Sequence, residues 1–236
     1  MFKDLIIIPT YNECVNSSII YDKIRSYNAL IDILFIDDNS PDNTSEIIKK
    51  IQKKDQRVFL LEREKKKGIG SAHKDGFNWA YNKNYNRVIT IDADLSHDPV
   101  LINTMLNDLE KNDIVTTGRF LKKDSLKNWN IFRKLLTTSR HLVIKYLFNI
   151  PFDTSGAFRC YNFNEVKIED LLKAKNNGYS FFWESLVILY EKKYRIKELP
   201  IDIPIRVYGS SKMKITDILN AIYYLIIFYI QRLTKK

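Results

Sequence analysis

The sequence predicts an α/β fold: a mostly parallel sheet with helices on both faces. Three observations carry that reading. Short apolar runs alternate with helix-patterned segments through the first half of the chain, which implies right-handed crossovers between parallel strands. Segments rich in chemistry follow the runs that end at Ile8, Ile36 and Ile91, and ligands of such sheets bind beyond the carboxyl ends of the strands. The 236 residues, 45% of them hydrophobic, suffice for one large domain with a substantial core.

Taken in order, residues 5–9 read as a strand, 15–27 as a helix, 31–36 as a strand and 45–54 as a helix. A strand at 58–61, a helix at 70–82 and a strand at 88–91 continue the alternation. Beyond them come a helix at 101–110 after the Asp98-Pro99 turn, a short strand at 114–117 and a long, partly amphipathic helical region at 129–148. Residues 156–161 read as a strand and 181–192 as a helix. Residues 195–207 are extended, with Pro200 and Pro204 favouring edge or loop positions. No linker marks a second independent domain.

Composition narrows the class. Seven Gly, six Pro and no low-complexity tract exclude collagen-like and disordered chains. Cys14 and Cys160 lack metal-ligand spacing, and a reducing compartment is the default. Met1-Phe2-Lys3-Asp4 leads directly into a strand, with no charged region and cleavage site of a secretory signal. The net charge of +10 suits nucleic acid, an anionic membrane surface or a phosphorylated substrate, or simply a solvated lysine-rich surface. Lys65-Lys66-Lys67 lies in a loop, and charge alone does not make it a site.

The sharpest signal is Ile91-Asp92-Ala93-Asp94-Leu95. An apolar strand ends there in two carboxylates one residue apart. Like charges so close repel, and a cation that neutralises them favours their persistence. Asp92 and Asp94 therefore read as a site for a hard divalent metal such as Mg²⁺ or Mn²⁺. Nucleic-acid binding fits that pair badly, because it predicts salt-sensitive affinity indifferent to divalent metal.

Other strand ends are weaker alone. Pro9-Thr10-Tyr11-Asn12-Glu13 presents polar groups to a ligand or simply starts a helix. Asp37-Asp38-Asn39-Ser40-Pro41-Asp42-Asn43-Thr44 offers carboxylates to a base or ribose, or caps the next helix, with Asp42 or Thr44 as cap. Gly68-Ile69-Gly70-Ser71-Ala72 is not a dinucleotide-binding fingerprint and reads as a backbone device at a helix start. Asp153 and Arg159 read as a structural pair around the Ser155-Gly156 turn, and the three histidines as ordinary residues rather than ligands.

Together these segments resemble the family 2 glycosyltransferases of the GT-A, Rossmann-like fold. Gly118-Arg119-Phe120, the 153–159 segment and Arg206-Val207-Tyr208-Gly209-Ser210-Ser211-Lys212 extend the resemblance to about Met213 and point to the polyprenol-phosphate branch, which includes dolichol-phosphate mannosyltransferases. The resemblance implies that Pro9, Tyr11, Glu13, Ile36 and Asp38 hold the nucleotide base and ribose. Asp92, Ala93 and Asp94 match the segment over the diphosphate, with Asp94 the principal metal ligand. Ser96 stands where relatives place a metal-site side chain, often Gln, and its shorter hydroxyl leaves room for a bridging water. Arg119, Arg206 and Lys212 match basic residues around the donor and acceptor phosphates, and Arg133 one that faces the acceptor phosphate. Asp94, Arg119 and Arg133 form the implied catalytic set.

The implied reaction is metal-dependent, inverting transfer of mannose from GDP-mannose to dolichyl (polyprenyl) phosphate. Glucosyl transfer from UDP-glucose to the same lipid, or a GT-A transferase with a different glycan or lipid acceptor, is the alternative. Residues 1–214 are expected to form the GT-A domain. Residues 215–236 are expected to form a hydrophobic, amphipathic helix at the membrane interface: residues 218–231 carry no charge, with Lys212 and Lys214 before and Arg232, Lys235 and Lys236 after. That length is marginal against the ~20 apolar residues of a spanning helix, and its basic, aromatic flanks suit an interface. Residues 135–148, with Arg140 and Lys145, read as a second interfacial helix. The expected location is a membrane surface with the catalytic domain on the cytoplasmic side, and a small membrane-anchoring subunit is a further candidate partner.

Overall fold

The structure, a computed structural model, describes residues 2–123, 125–127, 129–202 and 215–234. Among these, seven strands form one sheet: β1 (Asp4–Thr10), β2 (Asp32–Asp37), β3 (Val58–Glu62), β4 (Arg87–Thr90), β5 (Ile114–Gly118), β6 (Arg159–Asn162) and β7 (Ile196–Pro200). The helices are α1 (Cys14–Tyr27), α2 (Thr44–Lys54), α3 (Ile69–Asn82), α4 (Leu101–Asp108), α5 (Ile131–Phe148), α6 (Ile168–Leu172), α7 (Ser180–Glu191) and α8 (Ile215–Leu233).

The strand order is β3-β2-β1-β4-β6-β5-β7. β1 pairs in parallel with β2 and β4, β2 with β3, and β5 with β7. β6 is antiparallel to both β4 and β5. The chain therefore winds outward from β1 through β2 to β3 and returns to start again at β4, so the strand order reverses between β1 and β4. A crevice opens at the carboxyl ends on either side of such a reversal.

Period-two alternation explains why β1 is apolar throughout. Leu5 and Ile7 enter one core with Leu34, Ile36, Phe77 and Leu186, while Ile6 and Ile8 enter the other with Ile20, Ile24, Phe35, Ile48 and Ile102. Both faces are covered, so no polar position is needed until the strand ends. Gly76 sits where a Cβ would come within 2.8 Å of Ile7 Cγ2 and 2.7 Å of Ile36 Cδ1, so glycine lets α3 lie directly on the sheet.

α7 is buried from Ser180 to Leu189 and acts as the central helix of the Ile7 side. α8 packs on it. Trp183 of α7 meets Tyr224 and Phe228 at centroid distances of 5.8 and 5.0 Å, and Phe148 at the end of α5 meets Phe228 at 5.6 Å. The C-terminal helix is thus half embedded, with Leu219, Ile222, Tyr223, Ile226 and Ile230 left exposed on its outer side. No described helix is long and apolar enough to cross a membrane.

Differences from the sequence expectation are local. The 156–161 strand starts later, at Arg159, and the helix expected from 129 starts at Ile131, after the Asn130 side chain accepts the Arg133 N–H at 2.8 Å. The short helix α6 was not anticipated, and the extended run ends as a strand at Pro200, with 203–207 outside the described residues.

Candidate active site

A cavity of about 630 Å³ opens at the β1/β4 reversal. Pro9, Tyr11 and Glu13 reach it from β1, Asp38 from β2, and Asp92, Ala93 and Asp94 from β4. The sheet thus brings together residues expected at the base, ribose and diphosphate from three separate stretches of sequence.

Hydrogen bonds aim the first two strand ends. Thr10 Oγ1 donates to the Ile36 carbonyl and to Asp37 Oδ1, both at 3.2 Å. Asn12, at φ 55°, turns the chain, and its N–H donates to Ser40 Oγ. Glu13 Oε2 accepts from Asn16 Nδ2 at 2.6 Å. Asp37 is 1% exposed and accepts from Thr10, Ser40 and Ser45, so it holds the turn after β2. Asp42 accepts from the Thr44 N–H and hydroxyl, but neither is the helix cap expected: Asn43 holds that position, at φ 63° and with no capping side chain.

Asp38 lines the cavity, but its carboxylate is engaged by protein donors: Arg63 Nη1 at 2.7 Å, Lys67 N at 2.9 Å and Gly68 N at 3.0 Å. It therefore folds the 63–68 loop against the site. Gly68, at φ +97°, could not carry a Cβ, which would lie 2.4 Å from the Asn177 carbonyl oxygen. The glycine segment thus has the backbone function expected of it. The loop also places Lys66 Nζ 3.5 Å from the centroid of the Tyr11 ring, and both residues line the cavity. Sequence reasoning passed over Lys66 because a lysine run in a loop has no period or spacing that marks one member.

After β4, Leu95 adopts φ 61°. A bulky residue in this left-handed region is strained, a feature that concentrates at functional sites. The reversal lets the Ser96 N–H donate to Asp94 Oδ1 at 3.0 Å while Asp94, 6% exposed, faces the cavity with Asp92. Ser96 touches Asp94 through its backbone and is not among the residues lining the cavity, in contrast to its expected side-chain role. His97 Nδ1 lies 3.9 Å from Asp92 Oδ2, beyond hydrogen-bond range. No cluster of three or more His, Cys, Asp or Glu among the described residues could hold a metal alone. Two hard carboxylates in a cavity do fit Mg²⁺ or Mn²⁺, since Mg²⁺ is typically held by one or two carboxylates with substrate phosphate and water completing the shell.

Ile36 departs from its expected role. Its side chain is fully buried in the core, against Gly76, because it lies below the strand end, where α3 covers the sheet.

Arg119 and Arg133 do not line the cavity. They form a second group around the buried Trp129 ring, with guanidinium carbons 5.9 and 3.6 Å from its centroid. Asp153 grips Arg119 and does not pair with Arg159 as expected. Arg159 instead donates to the Thr154 and Phe182 carbonyls and to Ser185 Oγ. Burial alone would raise the Asp153 carboxyl, but the Arg119 charge and hydrogen bonds from Arg119 and Ser155 more than offset it and hold it well below the usual range. Glu198 Oε1 accepts the Asp153 N–H at 2.6 Å and fills the space that a side chain at Gly118 would need. Arg206 and Lys212 lie outside the described residues. The far wall of the cavity, Asn176–Ser180 with Thr216, Asn220 and Ala221 of α8, had no assigned role in the sequence.

The sheet order, the switch-point cavity and its paired carboxylates define a glycosyltransferase of GT-A architecture. The chain belongs to glycosyl transferase family 2, whose model matches residues 5–167. Polyprenol monophosphomannose synthase of Mycolicibacterium smegmatis is 28% identical over 224 residues, covering 94% of this chain and 84% of that protein. Undecaprenyl-phosphate mannosyltransferase of Micrococcus luteus is 30% identical over 210 residues, covering 89% and 86%. Among solved structures, glucosyl-3-phosphoglycerate synthase from Mycobacterium tuberculosis in complex with UDP superimposes with a TM-score of 0.69 at 14% identity, covering 98% of this chain and 80% of that one. Its complex with Mn²⁺, UDP and glucosyl-3-phosphoglycerate gives 0.65, also at 14% identity, over 97% and 78%. At that identity the likeness concerns the fold.

Proposed function

We propose that this enzyme transfers mannose from GDP-mannose to a polyprenyl phosphate, such as dolichyl phosphate, at a membrane surface. The observation that carries the reading is the switch-point cavity, in which an aromatic base platform, Tyr11, shares one space with Asp92 and Asp94. The two relatives named for mannosyl transfer to polyprenyl carriers support the choice of sugar and acceptor.

The mechanism follows from charge. Asp92 and Asp94 would hold a divalent metal, which would supply neutralisation of the donor diphosphate. Tyr11, Pro9 and Glu13 orient the base and ribose. The acceptor phosphate is already ionised near neutral pH, so no strong general base is required. One of its oxygens attacks the anomeric carbon as the bond to the diphosphate breaks, and configuration inverts. Two anions must meet, and arginine binds phosphate through parallel hydrogen bonds. Arg119 and Arg133, beside Trp129, are assigned to the acceptor phosphate, with Arg206 and Lys212 completing the cationic set. Catalysis then rests on positioning and electrostatics.

The membrane part of the reading is supported by α5 and α8. Ile131, Phe132, Leu135, Tyr146, Tyr223 and Ile226 are exposed large apolar residues on these two helices, which meet where Phe148 packs on Phe228 and Tyr229. Exposed apolar patches of this kind mark interaction surfaces, and the net charge of +10 suits an anionic leaflet. A cytoplasmic-side location follows from a nucleotide donor.

The test is direct. The protein is incubated with Mg²⁺ or Mn²⁺, polyprenyl phosphate in membranes and labelled GDP-mannose or UDP-glucose. Label entering the lipid phase from GDP-mannose is the expected result. No lipid label from any sugar nucleotide overturns the reading.

A further inference from the structure

Three residues of α8 line the cavity opposite the strand ends: Thr216, Asn220 and Ala221. One turn beyond Asn220 on the same helix, the Tyr224 hydroxyl donates to Glu184 Oε1 at 2.8 Å. Glu184 is 1% exposed and gathers the cavity rim: Oε1 also accepts the Lys175 N–H at 2.8 Å, and Oε2 accepts the Asn176 N–H at 2.9 Å. The next carbonyl, Asn177 O, accepts the N–H groups of Gly70 and Ser71 at the start of α3. Just upstream, Lys67 N and Gly68 N are held by Asp38 on the cavity floor. A continuous chain of contacts thus joins α8 to the rim and floor of the donor cavity.

The Tyr224 ring has a separate task. It packs on Trp183 and Phe228, at centroid distances of 5.8 and 6.2 Å, and helps to seat the helix. Its hydroxyl is the polar arm that reaches the rim. The outer side of the same helix carries Leu219, Ile222, Tyr223, Ile226 and Ile230, all exposed. One element therefore has a polar side in the cavity and an apolar side toward the surroundings.

We propose that α8 is a working wall of the donor site: Thr216 and Asn220 face the bound sugar nucleotide, and Tyr224 is a positioning residue that sets the 175–178 rim through Glu184. A lipid surface that seats the outer side of α8 then tightens donor binding, and donor binding tightens surface attachment by the same factor. The surface half of this proposal rests on the membrane reading above; the Tyr224 half does not.

Calorimetric titration of the 236-residue chain with GDP and Mn²⁺, and with UDP in parallel, separates the two. Tyr224→Phe, which keeps the ring, and Asn220→Ala should each weaken binding of the better nucleotide by about five- to tenfold, the loss expected for one ordinary hydrogen bond. A lower melting temperature with unchanged affinity makes Tyr224 a stabilising contact only and overturns its positioning role. Acceptor-free phosphatidylglycerol vesicles should tighten nucleotide binding to the parent protein several-fold and do so less for Tyr224→Phe. Sedimentation with vesicles but no gain in affinity refutes the coupling. Failure to sediment at all refutes the membrane reading and the coupling together, while the vesicle-free titration still decides the role of Tyr224.

Discussion

Arg119 and Asp153 form a bidentate pair, Nε to Oδ2 at 2.8 Å and Nη2 to Oδ1 at 3.1 Å, with 8% and 2% of each residue exposed. Removing one partner of such a pair strands a buried charge, at a cost of about 3–5 kcal/mol. Asp153→Asn should therefore lose roughly that much stability near pH 7 and lower turnover as Arg119 loses its orientation. The pH dependence has a definite sign. The Asp153 carboxyl is depressed in the folded state, so its contribution is present above the unfolded carboxylate range, about 3.9, and is lost as pH falls through the lower folded value. Chemical denaturation of both proteins across acid pH checks this: the gap should narrow at low pH, and a constant gap refutes the assignment.

Asp94→Ala should reduce turnover by about 100-fold or more while the protein still folds, because the side chain faces the cavity and not the core. Rates, metal titration and thermal melting together test it, and an active, metal-dependent Asp94→Ala protein removes Asp94 from the metal site. Ser96→Ala is the sharper control. The Ser96 contact to Asp94 is made by its backbone N–H, so the variant should keep both the rate and the metal requirement. A changed metal preference would show that the hydroxyl takes part after all.

Much of the fold was legible because strands covered on both faces must be apolar over their full length, as in β1, and because crossover helices have a different period. That Asp92 and Asp94 share a cavity with Pro9, Tyr11, Glu13 and Asp38 was also legible, because ligands of such sheets bind beyond the strand ends. Partner choice was not. Asp153 lies six positions from Arg159, but β5 delivers Arg119 to it while Arg159, on β6, turns to the carbonyls of Thr154 and Phe182. Ile36 was misplaced because it lies below the strand end, where α3 covers the sheet at Gly76, and only the residues past that end reach the cavity. The far wall was invisible because Asn176–Ser180 and α8 reach the cavity only through tertiary packing on α7.

Glu198 supplies a second pH dependence of opposite sign. Burial, reinforced by the nearby Asp153 charge and opposed by the Asp153 N–H that it accepts, pushes its carboxyl up to about 7. An acid raised on folding binds its proton more tightly in the native state. Its stabilisation is therefore full below the unfolded value, about 4.3, and disappears as pH rises through about 7. Glu198→Gln keeps an oxygen for the Asp153 N–H and cannot ionise. Melting temperatures measured from pH 5 to 8 should decline more for the parent protein than for the variant, and parallel curves would exclude Glu198 as the source.

Lys66 stands with its ammonium 3.5 Å from the Tyr11 ring centroid, on a surface that a nucleobase would use. Two effects of removing it oppose each other. Losing the cation uncovers the ring, and a cation–π contact at an exposed site is worth about 0.5–1 kcal/mol. Losing it also takes a positive charge from a cavity that, on the proposed function, accepts a diphosphate, where a charge-assisted hydrogen bond is roughly twice as strong as a neutral one. The second effect should win. Lys66→Ala and Lys66→Met are expected to raise the donor KM by about two- to fivefold with little change in kcat, the net of a charge-assisted hydrogen bond of about 1.5 kcal/mol over the cation–π contact. Met keeps the apolar stem, so agreement between the two variants assigns the effect to the charge. A lower KM in both would show that Lys66 shields the ring from the base instead of helping to hold the donor.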